Sequence, residues 1–241
     1  MQNGVIAYCG PAAIPGELWL RWNADPVLIA VLVALIIVVG RGGSANARAG
    51  WGSIALMALI FVSPLCALSS ALFSARVFHH VVLIAGVAPL LALAFPLRRL
   101  GSPPLAALVM LHAVVLWLWH TPGLYVWGLA SVPAYWLMQL SLLGSAWLLW
   151  RAILKPSPHA GPALVALVAT IGQMGLLGAL IVFAPQPLYS VHYLSTAAWG
   201  MSPLTDQQLA GLLMWVPAIL PYLGIGLWLG WSGFRSGMEA R

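Results

Sequence analysis

Charge is what this chain has least of. Of its 241 residues only 6% are Asp, Glu, Lys or Arg, whereas 62% are hydrophobic and the mean hydropathy is +0.98. Soluble domains have about 25% charged residues, so a soluble globular fold is excluded. The few charges stand between long apolar runs. Because about 20 apolar residues cross a bilayer as one helix, we predict an all-α, polytopic integral membrane helical bundle.

Other scarce features exclude several functions. No Asp, Glu, Lys or Arg lies deep inside an apolar run, which argues against ion-coupled transport through intramembrane carboxylates. The only lysine, Lys155, lies in a polar connection, so no Schiff base with retinal is available. Two cysteines are too few for a disulfide framework. No phosphate-binding glycine loop and no nucleophile motif is present, and we therefore expect no enzymatic activity.

Seven apolar segments are predicted to span the membrane. They cover residues 24–40, 51–73, 77–97, 103–120, 132–152, 162–184 and 209–231. Residues 1–23 then form an outer N-terminal segment without the features of a cleaved signal peptide. Residues 24–232 form the transmembrane domain, and residues 233–241 form a short cytoplasmic tail. Kinks are expected at the prolines inside the segments, which are Pro64, Pro89, Pro217 and Pro221.

The basic residues predict the orientation. With seven spans, one side of the membrane holds Arg41, Arg48, Arg98, Arg99, Arg151, Lys155, Arg235 and Arg241. Only Arg21 and Arg76 fall on the other side. Cytoplasmic loops carry the excess of Lys and Arg, so the N-terminus is predicted outside and the C-terminus in the cytoplasm. The net charge of +6 is therefore interpreted as a topology signal and not as a sign of nucleic-acid binding.

Five of the six histidines are predicted to lie at or toward the outer face. His79 and His80 begin the third segment, half-exposed at the boundary, and His120 ends the fourth. His112 lies about 12 Å deeper on the same side of that helix, and His192 lies in the long outer loop. Both cysteines, Cys9 and Cys66, are also predicted on or toward the outer face, and Met138 and Met174 could join them.

Imidazole, thiolate and thioether are ligands that copper prefers, so this distribution favours a copper site. A buried histidine can equally serve only to bond a carbonyl, and a methionine only to fill space. Two further alternatives stay open. Histidines on consecutive helices, His80 with His112 or His120, could be axial ligands of a haem. The protein could also be a scaffold without a metal.

Three stretches resemble one protein family. They are "HHVVLIAGVAPLLALAFP", "LWLWHTPGLYVWGL" and "WGMSPLTDQQLAGLLMWVP". They are similar to the CtaG-type cytochrome c oxidase assembly proteins of bacteria, first associated with caa3 oxidases. The resemblance implies a multi-pass protein of the bacterial inner membrane that assembles haem–copper oxidases, with copper bound or handed over at the periplasmic face. The implied partners are membrane lipid and either cytochrome c oxidase subunits or a periplasmic copper carrier.

The chain departs from this family at several ligand-type positions. Family members typically carry His-x-x-x-His at the start of the third span, where this chain has Arg76 and His80, and His79 replaces a usual glutamine. The His-x-x-Glu-His pattern of the fifth span is replaced by Tyr135, Met138 and Gln139.

The metal prediction follows from these departures. It names His80 and His120 first, followed by His79, Met138, His112 and His192. A set of histidine and methionine ligands favours Cu(I). Asp206, with Gln207 and Gln208, is expected to cap the helix of the seventh span, with docking of a partner as the alternative.

Overall fold

The computed structural model describes residues 8–96, 101, 103–157 and 159–239. Within these ranges all regular structure is helical. The α-helices are α1 (Pro26–Gly40), α2 (Ala47–Met57), α3 (Leu65–Ala71), α4 (Phe73–Val82), α5 (Ala88–Ala94), α6 (Leu105–His120), α7 (Pro122–Ala130), α8 (Val132–Ile153), α9 (Gly161–Phe183), α10 (Pro203–Trp215) and α11 (Ile219–Glu239). Three basic residues used for the orientation, Arg98, Arg99 and Arg241, lie outside the described residues.

Four helical stretches are long and apolar enough to cross a membrane. They are Phe73–Ala94, Val132–Ile153, Gly161–Phe183 and Pro203–Arg235. The count rises to six if two bent pairs are each one span: α2 with α3, bent by 47°, and α6 with α7, bent by 78°. The remaining predicted segment forms α1, which has only 15 residues. The described residues thus contain four to six candidate spans where the sequence predicted seven.

The chain departs from regular α-helix at three of the four prolines, and the bend between α2 and α3 at Pro64 is 47°. Pro64 separates α2, which continues as a π-turn to Val62, from α3, and Pro217 lies in the break between α10 and α11. Pro89 lies just after a π-turn over Leu83–Val87 that joins α4 to α5 without a break. A proline cannot donate a backbone hydrogen bond, so the widened turn before Pro89 leaves a carbonyl without a helical partner.

The freed carbonyl is that of Ile84. In the π-turn the Ala88 N–H bonds to the Leu83 carbonyl, so the next donor in this register would be the nitrogen of Pro89. The indole of Trp150, fully buried on α8, donates to the Ile84 carbonyl instead, at 2.8 Å. A side chain from a neighbouring helix thus satisfies the backbone group, as an apolar interior requires.

Helix α8 lies at the centre of the bundle. It packs against α5 and α6, and α6 also packs against α9. Helix α10 lies between α4 and α9. The approach of α10 to α9 is close because both contribute glycine: a Cβ at Gly211 would lie 2.6 Å from the carbonyl oxygen of Gly178. Small residues of this kind let helix backbones approach in membranes.

Some predicted boundaries differ from the structure. The third segment begins at Phe73 and not at residue 77, and the seventh begins at Pro203 and not at 209. The first turns of α4 and α10 are capped by Asp206 and by Ser202 respectively, so their polar residues are compatible with a helix. The stretch after His120, predicted as a connection, forms α7, because proline is well placed at the first turn of a helix.

Candidate functional site

One face of α4 carries the polar residues of the candidate site. Arg76, His79 and His80 are three and four residues apart, so their side chains share one side of the helix. Their exposed fractions are 0%, 0% and 2%. The expectation of half-exposed histidines is therefore wrong: α2, α8 and α10 pack around α4 and α5 and remove this face from solvent. We call the end of the bundle that holds His80, His120 and His192 the histidine end.

His80 and His120 lie side by side at the histidine end. Their ring centroids are 6.0 Å apart and the ring planes are inclined by 78°. Two imidazoles bound to one ion in a nearly linear arrangement have centroids roughly 6 Å apart, since each metal–nitrogen bond is about 2.0 Å. The Nδ1 of His120 lies 2.7 Å from the Leu116 carbonyl oxygen, so it donates a proton there. The lone pair of this ring is then on Nε2, the form that can bind a metal.

Gln139 of α8 lies next to the imidazole of His80. Its amide nitrogen lies 3.3 Å from Nε2 of His80, while the amide oxygen and Nδ1 of His80 have no hydrogen-bond partner among the described residues. Rotating the amide by half a turn places its oxygen opposite Nε2. His80 would then donate from Nε2 and present its Nδ1 lone pair. In these tautomers each of the two rings carries an unprotonated nitrogen, the form of imidazole that can bind a metal.

Among the described residues, the geometric hydrogen bond of Arg76 is made by Nη1. Nη1 lies 3.3 Å from the hydroxyl of Tyr135, over whose ring the guanidinium carbon lies at 5.2 Å. The Tyr135 hydroxyl also contacts Sγ of Cys9 at 3.6 Å. Cys9 and Cys66 form a disulfide, with an S–S distance of 2.00 Å. Neither cysteine is thus a free thiol, which removes both from the possible metal ligands.

His192 belongs to a separate hydrogen-bonded group in the loop before α10. Its Nε2 lies 2.7 Å from the hydroxyl of Tyr125. Burial and, secondly, the charge of Arg76 lower the pKa of His192 to about 4, whereas the Ala71 carbonyl, an acceptor for the imidazole N–H, acts in the opposite direction. Tyr189 of the same loop donates to the His120 carbonyl at 2.8 Å. The loop therefore packs onto the end of α6 and covers the histidine pair.

The other predicted ligands have different neighbours. His79 lies beside His80, with ring centroids 5.9 Å apart, and its ring also meets Phe61 edge-on. His112 bonds through Nδ1 to the Ser145 hydroxyl at 3.0 Å. The sulfur of Met138 faces the backbone of Gly128, next to the ring of Trp119. Among the described residues no three His, Cys, Asp or Glu side chains are grouped closely enough to hold a metal ion. The structure thus places the ring of His80 5.9 Å from that of His79 and 6.0 Å from that of His120. It does not test whether any of the six predicted ligands binds metal.

Asp206 has a role that the sequence did not indicate. It lies inside α10, whose own cap is Ser202, and it is 1% exposed. Its carboxylate accepts hydrogen bonds from the backbone nitrogens of Phe73 and Ser74, at 2.7 and 3.1 Å, and from the Ser74 hydroxyl. Asp206 therefore caps α4 and not its own helix. Nothing in the sequence could have paired positions that lie 132 residues apart.

Gln207 fixes the loop in the same way. Its amide oxygen accepts from the Leu188 nitrogen at 2.6 Å, and its amide nitrogen donates to the Ile181 carbonyl at 3.2 Å. Two neighbouring residues of α10 thus hold α4, the end of α9 and the loop before α10 together. Because Asp206 and Gln207 are buried, neither is available to dock a partner. Gln208 is exposed.

Three positions that depart from the expected family pattern lie where α4 and α8 face each other. Arg76 contacts Tyr135, and Gln139 contacts His80, which matches the family pattern. In each contact the two residues are 59 positions apart in the chain. These departures are therefore not scattered over the fold.

A comparison with protein families gives one match. A family model described as cytochrome c oxidase caa3 assembly factor matches residues 44–236, which is well over half of the chain. The matched range includes His80, His120 and His192 and excludes α1 and Cys9. No curated protein and no solved structure matches the chain.

Proposed function

The chain belongs to the cytochrome c oxidase caa3 assembly factor family, and on that premise we propose that it receives Cu(I) at the histidine end and passes it on. The recipient is a subunit of the oxidase or a soluble copper carrier of the periplasm. Copper is the cargo in this proposal and not a resident cofactor, and the protein has no catalytic role.

The observation that carries the proposal is the pair of His80 and His120. Two imidazoles at a centroid distance of 6.0 Å, one of them held by the Leu116 carbonyl in the metal-binding tautomer, match a two-coordinate ion. A two-coordinate ion keeps open positions, so an acceptor can add its own ligand before the histidines release the metal. Arg76 on the same helix face repels a cation, which favours release over storage.

The same proposal includes seven spans with the N-terminus in the periplasm. Helix α1 is about 22 Å long at 1.5 Å per residue, shorter than the roughly 30 Å of hydrocarbon. Asp25 and Arg41, which flank α1 as its two caps, mark the membrane boundaries, and a locally thinner bilayer accommodates the difference. The disulfide of Cys9 and Cys66 supports this orientation because disulfides persist in the oxidising periplasm and not in the cytosol.

Complementation of a deletion strain tests the proposal. Cells that lack the protein should lose caa3 oxidase activity and the copper of the purified oxidase, and the wild-type chain should restore both. A His80→Ala/His120→Ala variant should restore neither although it accumulates in the membrane. His159→Ala, at an exposed histidine of another loop, is the matched control and should restore both.

Full rescue by the double variant would contradict copper reception and favour a scaffold that acts without metal. A strong Soret band in the purified protein would contradict it in another way, because it would identify the histidines as haem ligands.

A further inference from the structure

The face of α4 formed by Arg76, His79 and His80 has more hydrogen-bond donors than its surroundings satisfy. Two kinds of donor have no partner among the described residues: the N–H groups of Nε and Nη2 of Arg76, and the ring N–H of His79, neither of whose nitrogens is bonded. All three side chains are at least 98% buried. Buried polar groups are nearly always bonded, so this concentration at one place calls for a missing partner.

Arg76 also forms no ion pair with an acidic side chain among the described residues. Of the acidic side chains whose burial the structure describes, Asp206 is the buried one, and its carboxylate accepts hydrogen bonds from Phe73 and Ser74. The contact with the Tyr135 ring is a cation–π interaction, which is much weaker than the cost of burying a guanidinium without a counter-ion. A neutral partner such as water would satisfy the donors, whereas an anion would also place a negative charge directly against the guanidinium.

The free atoms of Arg76 also indicate the shape of the partner. Nε and Nη2 form one edge of the planar guanidinium, and Nη1 on the other side is the atom that contacts Tyr135. This edge pairs with a carboxylate through two parallel hydrogen bonds. His79, one turn further along α4, adds a ring N–H on the same face.

From these observations we infer that the Arg76 edge, with His79, binds a small planar monoanion of the carboxylate class, such as formate, acetate or bicarbonate. One negative charge balances the single charge of Arg76. The ligand is a free small molecule because the site is closed: a carboxylate on a macromolecule would have to enter a face that is not exposed to solvent. The inference goes beyond the proposed function and does not require copper.

Binding of ¹³C-formate to the purified full-length protein tests the inference. The protein is kept in detergent with a metal chelator, and chloride holds the ionic strength constant while formate is varied. We expect saturable broadening of the formate NMR line that acetate reverses and that the larger benzoate does not. Arg76→Met should abolish the broadening. Arg76→Lys keeps the charge but loses the two-pronged edge, and should bind formate at least tenfold more weakly.

Two further variants keep the test decisive. Arg41→Met, at an exposed cap of α1, is the matched control and should bind formate like the wild type. His79→Phe leaves Arg76 in place and should weaken binding, which covers the case in which Arg76→Met fails to fold. The inference is overturned if the wild type shows no saturable binding, if Arg76→Lys binds equally well, or if phosphate displaces formate as well as acetate does. Because copper is absent, such a failure leaves the His80–His120 proposal untouched.

Discussion

Replacing Asp206 with alanine should destabilise the protein by about 4 kcal/mol. The substitution leaves two buried backbone N–H groups, those of Phe73 and Ser74, without an acceptor. Each unsatisfied buried donor costs about 1–3 kcal/mol. Asparagine keeps one oxygen but loses the charge that interacts with the start of α4, and should cost about 2 kcal/mol, the upper end of such helix-dipole effects.

Asp25 provides a matched control, because it caps a helix end that lies near the surface. Its carboxylate also accepts from two backbone nitrogens, those of Val27 and Leu28, at 2.7 and 3.2 Å. Water can replace the carboxylate there because the cap of α1 lies near the surface. Asp25→Ala should therefore cost only about 1 kcal/mol, the usual loss of an N-cap.

Unfolding of the detergent-solubilised protein by added SDS, followed by tryptophan fluorescence, measures the two losses on one scale. The ratio of the two losses in unfolding free energy is more informative than either loss alone, because both variants remove a carboxylate that caps a helix. If Asp206→Ala and Asp25→Ala cost the same, the Asp206 carboxylate does not cap a buried helix end, and the account of how α10 fixes α4 is wrong.

Three further predictions concern single contacts. Trp150→Phe leaves the Ile84 carbonyl unpaired beside the π-turn and should cost about 1–3 kcal/mol in the same SDS assay; a loss near zero would show that this carbonyl has another donor. Gln139→Leu removes the partner that sets the tautomer of His80 and should weaken Cu(I) affinity by about 10–100-fold in a competition titration, whereas an unchanged affinity would contradict that role. The pKa of His192 is lowered to about 4, so on acidification the unfolded state binds a proton at this residue before the folded state does. The folded state therefore loses stability as the pH falls from about 6.5 toward 4. His192→Asn should reduce the slope of the unfolding free energy against pH between these values, and an equal slope would refute the assignment.

Much of the fold could be predicted from composition because the membrane permits few structures. Long apolar runs must be helical there, and the runs over Val132–Ile153 and Gly161–Phe183 were located within about two residues. Prolines indicated the breaks at Pro64 and Pro217 for the same local reason. Composition did not determine the number of spans, because hydropathy alone does not show whether a helix as short as α1 crosses the membrane.

The environment of the site could not be predicted, since it depends on contacts between distant parts of the chain. Topology placed His79 and His80 at a boundary, but only the packing of the neighbouring helices shows that they are buried. An acid near a helix start is normally interpreted as the cap of that helix, and Asp206 caps a different one. The pairing of Cys9 with Cys66 likewise depends on where the N-terminal segment packs.

The central claim is that His80 and His120 together hold one Cu(I) ion. Titration of the purified protein with Cu(I) under reducing conditions, against a chelator of known affinity, tests it most directly. The account predicts one bound equivalent in the wild type and in His159→Ala, and loss of that equivalent in His80→Ala, in His120→Ala and in the double variant. Undiminished copper binding by the double variant would contradict the account.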